Sequence, residues 1–224
     1  DLLSQLELKN TYEIKSNYEN FIKWQQEYFL SEAYKKDKDY WLNQFIDELP
    51  LLELPMDYPR PARKSGKGGI VFGNIDKSMV IALKEVAKKN SCTINMLLLS
   101  IYSLFLNKLS NQNNIIIGMP ISGRPHKDFE TVIGMFANSI ALPLQVENET
   151  SFPEFITQVK NKTLKAYQHQ SYPFERLVEH IVKNRDLSRN PIFDTMFVFE
   201  KGEKRILKTS EFHFEAYPLK KDIS

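Results

Sequence analysis

Cysteine is nearly missing from this chain: Cys92 is the only one in 224 residues, so no internal disulfide can form. It precedes the apolar Ile94 and Met96 to Leu99 and reads as a buried core thiol. Long apolar runs are missing too. None reaches the roughly 18 residues that span a bilayer, and the start shows no signal-peptide pattern, so a cytoplasmic protein without a membrane partner is expected. An excess of one charge is absent: 30 basic and 28 acidic side chains leave a net +2, and nucleic acid is not an expected partner. His126, His169, His180 and His213 are never adjacent, and no His, Cys or Asp cluster has metal-ligand spacing, so no metal is expected. There is no internal repeat or low-complexity tract. The chain opens at Asp1 rather than Met, and a piece of a longer polypeptide is expected.

What is present is a 42% hydrophobic composition, ample for a buried core, arranged in mixed periods. Tyr18 to Phe45 carries apolar residues at helical spacing with a polar break near Asp37, predicting two helices. Residues 49–69 hold four prolines and three glycines, the composition of a long ordered loop, and its Leu51, Leu52, Leu54 and Tyr58 predict packing on a surface. Ile70 to Asp76 reads as a strand and Lys77 to Lys89 as a helix. Thr93 is the predicted cap of an apolar helix from Met96 to Leu109, which should be central and buried. Asn113 to Pro120 predicts a strand buried on both faces, and Ser139 to Val146 another. Ser151 and Pro153 start a helix to Tyr167, and Pro173 opens one through Ile181. Ile192 to Phe199 and Glu211 to Tyr217 read as strands around a Lys201 to Lys208 turn. The expected class is α/β, an α+β sandwich in which helices cover a mixed sheet.

Four short runs combine Gly, Pro, Asn, Arg and His between these elements. They are Tyr18-Glu-Asn-Phe-Ile-Lys-Trp24-Gln, Ile133-Gly134-Met-Phe136-Ala-Asn138-Ser139, His169-Gln-Ser-Tyr172-Pro173-Phe-Glu175 and Arg185-Asp186-Leu-Ser-Arg189-Asn190-Pro191. In this order they resemble the later signature motifs of condensation domains of nonribosomal peptide synthetases. Asn20, Ile22, Ala137, Ser139 and Ser171 depart from the common pattern. The resemblance is strongest over 18–199, and it implies that 1–224 is the C-terminal subdomain, one of two chloramphenicol-acetyltransferase-like lobes. The family's catalytic His-His-x-x-x-Asp-Gly motif has no counterpart here. The resemblance therefore implies no catalytic residue in this chain and no amide-bond formation by it alone.

The same resemblance implies a tunnel between the lobes, where two thioesters on the phosphopantetheine arms of carrier domains meet. No cofactor is expected on the chain itself. Expected partners are the N-terminal lobe and adjacent carrier and adenylation domains, and a bared lobe face could also drive self-association. Tunnel candidates are Asn138, Gly134, Phe136, Ser139 and His169. For Asn138 two readings stand, an amide contacting substrate or one that caps Ser139 or the strand start. Gly134 reads as a point of close backbone approach, and His169 as a hydrogen-bonded structural residue rather than a base. Tyr18, Trp24, Tyr172 and Pro173 are motif residues expected to support structure. Arg185, Asp186 and Arg189 are expected to form an ion-pair network, with Asn190-Pro191 setting the turn.

Other constellations are weaker. Ser188, His180 and Asp186 are triad residue types without a nucleophile elbow, and Gly66 to Gly69 is misplaced for a phosphate loop. The lysines at 35–38 and 201–208 read as solvated faces able to meet an acidic carrier domain. The alternatives are an epimerisation or heterocyclisation relative, an acyltransferase using coenzyme A, and a non-catalytic carrier-docking module.

Overall fold

The computed structural model describes residues 16–46, 48–147 and 149–200. The strand expected at Glu211 to Tyr217 and the Lys201 to Lys208 turn lie outside them.

Local chemistry explains where most elements start and stop. Helix α1 is Tyr18–Leu30, and the Asn17 side chain accepts from the Asn20 N–H at 2.9 Å. Helix α2, Glu32–Asn43, follows after one residue. Ser31 serves both: its Oγ donates to the Tyr28 carbonyl at 2.7 Å and accepts from the Tyr34 N–H at 3.2 Å. The break thus falls at Ser31 rather than near Asp37, which lies inside α2 and is buried. Helix α3 is Lys77–Lys89, capped by Asp76. Helix α4, Ile94–Ser110, begins at the expected Thr93 cap and ends at Asn111 in the left-handed region, φ 54°. Ser100 and Ser103 enter the core because each hydroxyl donates to the carbonyl four residues back. One face of α4 is not buried, and Ile101, Phe105 and Leu109 stay partly exposed.

Strand β1, Asn114–Ile121, is central in a three-stranded sheet of order β2-β1-β3. It pairs antiparallel with β2, Asn138–Gln145, placing Ile117 opposite Leu142, and parallel with the short β3, Thr195–Met196. Five successive buried residues in β1 show that both its faces are covered. Helix α5, Phe152–Gln168, opens with the Ser151 N–H and Oγ both donating to Glu154. That hydroxyl holds the Glu154 carboxyl below its usual range. Helix α6 is Phe174–Ile181. Leu99, Leu106, Ile117, Leu142, Phe155 and Val159 form the heart of the main core. Cys92 sits only half-buried beside the smaller Ala87, Leu97 and Ile156 cluster, where burial pushes its thiol up.

Three expectations change in space. Residues 70–76 form no strand: they have no ladder partner among the described residues, and Val71 and Phe72 are exposed. The strand expected from Ile192 shortens to Thr195–Met196, since Ile192 adopts φ 71°, which no ladder residue holds. The 49–69 segment is a loop, but only its first part packs: Leu52 is buried while Tyr58 is 84% exposed. Among the described residues no single helix is long and apolar enough to cross a membrane.

Candidate functional site

A cavity of about 260 Å³ opens where α1, the 122–137 segment, the start of β2 and the 168–173 turn converge. Helical spacing puts Tyr18, Phe21 and Trp24 on one face of α1, and these rings form one wall. Phe136 packs directly on this wall, its ring 4.5 Å from Phe21 and edge-on to Tyr18 at 5.3 Å. Gly134 allows this closeness: a Cβ there would stand 2.3 Å from the Tyr18 ring. The Tyr18 hydroxyl donates to the Met135 carbonyl at 2.8 Å and fastens the segment to α1. Trp24 stacks on Tyr28 at 5.3 Å.

Of the five tunnel candidates, Phe136 and Asn138 line the cavity, while Gly134, Ser139 and His169 do not. Asn138 is engaged within the chain on both sides of its amide. Its Nδ2 donates to the carbonyls of Gln170 at 3.1 Å and Tyr172 at 2.9 Å. Its Oδ1 accepts from the N–H of Ser139 at 2.8 Å and of Phe174 at 3.0 Å. That last bond satisfies an otherwise unpaired N–H in the first turn of α6. One side chain at the start of β2 therefore holds both the 168–173 turn and the helix that follows it.

His169 turns away from the cavity. Its ring stacks on Tyr40 at 4.0 Å, and its Nδ1 lies 2.7 Å from Asp37 Oδ1. Asp37 Oδ2 accepts from the Tyr28 hydroxyl at 2.6 Å, and the His169 carbonyl accepts from Trp41 Nε1 at 2.8 Å. Burial, followed by the bond to Asp37, raises the Tyr28 phenol above its ordinary range. Asp37 thus links α1, α2 and the turn that carries Gln170 to the cavity. Replacing Asp37 with alanine strands a buried phenol and a half-buried imidazole, and a loss of about 2 kcal/mol is expected in urea unfolding. A loss below about 0.5 kcal/mol would remove Asp37 from this bracing role.

The family model described as Condensation domain matches residues 2–224. The chain belongs to the condensation-domain family. It is 44% identical over 207 residues to tyrocidine synthase 3 of Brevibacillus parabrevis, covering 92% of this chain and 3% of that protein. It is 40% identical over 223 residues to bacitracin synthase 3 of Bacillus licheniformis, covering 100% of this chain and 3% of the relative. This condensation-domain chain therefore spans only a few per cent of these synthases. Among solved structures, a four-domain nonribosomal peptide synthetase, in holo form with AMP and glycine, superposes with TM-score 0.71 at 29% identity. That match covers 79% of this chain and 13% of that one. The X-domain from teicoplanin biosynthesis shares the fold, with TM-score 0.72 at 22% identity over 84% of this chain and 43% of that one. The fold is thus the chloramphenicol-acetyltransferase-like one of condensation domains.

The last condensation-domain motif is wired differently from expectation. Arg189 pairs not with Asp186 but with Asp194 at 2.6 Å, and it also donates to the Leu52 carbonyl at 3.0 Å. Asp194 in turn accepts from the Leu52 N–H at 3.3 Å. Asp186 accepts from the Ser188 N–H at 2.8 Å, and bonding to Ser188 holds its carboxyl below the usual range. Arg185 joins none of the hydrogen bonds or ion pairs found among the described residues. Asn190 accepts from Lys64 Nζ at 2.5 Å, and Pro191 precedes the left-handed Ile192. Together these bonds tether the long 49–69 loop to the motif. Tyr172 is buried against Tyr34, its phenol raised chiefly by burial, and Pro173 is the N-cap of α6. His180 bonds the Arg176 carbonyl of its own helix, so it forms no triad with Ser188. No group of acidic, His or Cys side chains suited to a metal occurs among the described residues.

Sequence reasoning passed over Arg124. It lines the cavity, its guanidinium lies 4.0 Å over the Phe136 ring, and its Nη1 donates to the carbonyls of Phe129 and Val132. The one available signal was its place between Gly123 and Pro125, which reads only as loop.

Proposed function

We propose that this chain is the C-terminal lobe of a condensation domain in a modular peptide synthetase and supplies one wall of its reaction tunnel. In that reaction the amine of a carrier-bound aminoacyl thioester attacks the carbonyl of an acyl or peptidyl thioester. The C–N bond forms, the C–S bond breaks, and the proton lost from nitrogen is matched by the thiol released. The observation that carries this reading is the cavity: the first two family motifs and part of the third converge on it. Its volume of about 260 Å³ falls just short of the roughly 300 Å³ at which self-standing ligand sites begin, as suits one side of a larger passage. Aromatic faces beside the side-chain amides of Gln25 and Gln170 fit an arm such as phosphopantetheine, which alternates alkyl and amide groups. The arm would arrive on carrier domains. Ile133 and Met135, 82% and 73% exposed next to the cavity, are the apolar contacts offered to the first lobe.

The chain contributes shape and contact rather than the catalytic base. It lacks the paired-histidine motif, and His169 is committed to Asp37 and Tyr40. With carrier domains loaded with donor and acceptor, the chain alone should release dipeptide at the background rate, whereas the two-lobed domain containing it should turn over. Dipeptide formation by the chain alone well above background, abolished by changing Asn138 or His169, would overturn the proposal.

A further inference from the structure

We propose that Arg124 is a positioning residue for this reaction: it holds the 125–137 segment in the arrangement that presents Phe136 and Asn138 to the cavity. The inference rests on reading that cavity as tunnel wall. Three contacts meet on this one side chain. Its Nη1 donates to the Phe129 carbonyl, at the end of the 3₁₀ turn Lys127–Phe129, and to the Val132 carbonyl at 2.9 Å. Its guanidinium covers the Phe136 ring at 4.0 Å. Directly before it, Gly123 turns through φ 63° beneath the Phe136 carbonyl.

The start of the segment is thereby tied to its middle and its end. Apart from that 3₁₀ turn, residues 122–137 contain no regular structure, so side-chain fastenings decide their shape. From α1, Tyr18 bonds Met135 and Phe21 packs on Phe129 and Phe136; from within, Arg124 bonds Phe129 and Val132. The ion pairs found among the described residues do not include Arg124, and its two acceptors are neutral carbonyls. Its usefulness is therefore geometric: the two hydrogens of Nη1 reach two carbonyls while the planar guanidinium fork lies flat on a ring, and a lysine ammonium has no plane to stack there. Without the fork, Phe136 and the strand start behind it lose their register. A displacement on the order of 1 Å at a reacting centre can cost about a hundredfold in rate.

The two-lobed domain containing this chain is the material for the test, with loaded carrier domains as substrates. In Arg124→Gln, kcat should fall by about tenfold to a hundredfold while KM for the carriers stays within about threefold. Backbone amides of 125–137 should exchange faster, and Arg124→Lys should recover part of kcat by bonding the carbonyls without covering the Phe136 ring. Ala137→Trp, placed at an exposed position on the cavity lining, fills the space without touching the Arg124 bonds and tests the tunnel reading separately. Turnover kept in Arg124→Gln but lost in Ala137→Trp overturns the role of Arg124 and leaves the tunnel standing. Turnover kept in both overturns both. An activity loss in Arg124→Gln that tracks a drop in whole-domain melting, with no recovery in Arg124→Lys, also overturns it, since that is how a merely structural residue behaves.

Discussion

Replacing Asn138 with leucine is expected to lower the free energy of unfolding by about 3 kcal/mol, although leucine is close to asparagine in size. The cost comes from the four backbone groups left behind. The carbonyls of Gln170 and Tyr172 lose their donor, and the N–H groups of Ser139 and Phe174 lose their acceptor. Each of the three part-buried groups so abandoned costs about 1 kcal/mol, while the exposed Gln170 carbonyl can turn to water. Asn138→Asp separates the two halves of the amide. It keeps both acceptor bonds and places negative charge at the α6 N-terminus, where the helix dipole favours it, but it cannot donate to the two carbonyls. Its loss should be about half that of leucine. Urea unfolding of the chain measures both, the midpoint shifting at unchanged slope. A leucine variant within about 0.5 kcal/mol of the parent would mean that the amide does not hold the turn to the strand.

Gly123→Ala should cost about as much by a different route. At φ 63° a Cβ crowds the following carbonyl, which costs about 1–2 kcal/mol. The same Cβ would stand 1.7 Å from the Phe136 carbonyl oxygen, far inside contact distance. That oxygen is backbone, so relief requires the segment to move, at a typical overpacking cost of about 1–3 kcal/mol. At Gly118, by contrast, the atoms nearest to a Cβ belong to the Phe193 side chain, 2.4 Å away, and not to the backbone. A combined loss of about 3 kcal/mol in a chain of this size lowers Tm by roughly 6–12 °C. Because Phe136 packs on Phe21, which stacks on Trp24 at 5.9 Å, the tryptophan emission should shift with it. An unchanged melting curve and emission would show that the segment yields freely and does not form a rigid wall.

Elements whose ends are set by neighbouring residues were readable in advance. Thr93 before α4, Ser151 and Pro153 at α5, and the apolar run of β1 act within a few positions of themselves. Elements that depend on a distant partner were not. Residues 70–76 alternate like a strand, but a strand exists only where a ladder partner stands beside it. Asp37 resembles a helix break because it is a charge in an apolar pattern. Its burial depends on Tyr28 and on His169, which is 132 positions away. Arg189 found Asp194 rather than Asp186 because Asp194 is also held by Leu52 across the long loop.

The candidate site divides the same way. Tyr18, Trp24, Phe136 and Asn138 could be named from the motifs, since each motif is a local string. The strings do not separate side chains that line the cavity from those that stand behind it, and Gly134, Ser139 and His169 are not among its lining residues. The sequence by itself determined the family, the capped helices, the central strand and the lack of a paired-histidine motif. Only the tertiary structure decided that the Asn138 amide is already engaged and that Arg124 bonds the Phe129 and Val132 carbonyls. The physical reason is that their partners are backbone groups, which every residue carries alike, so their positions in space leave no mark on the sequence.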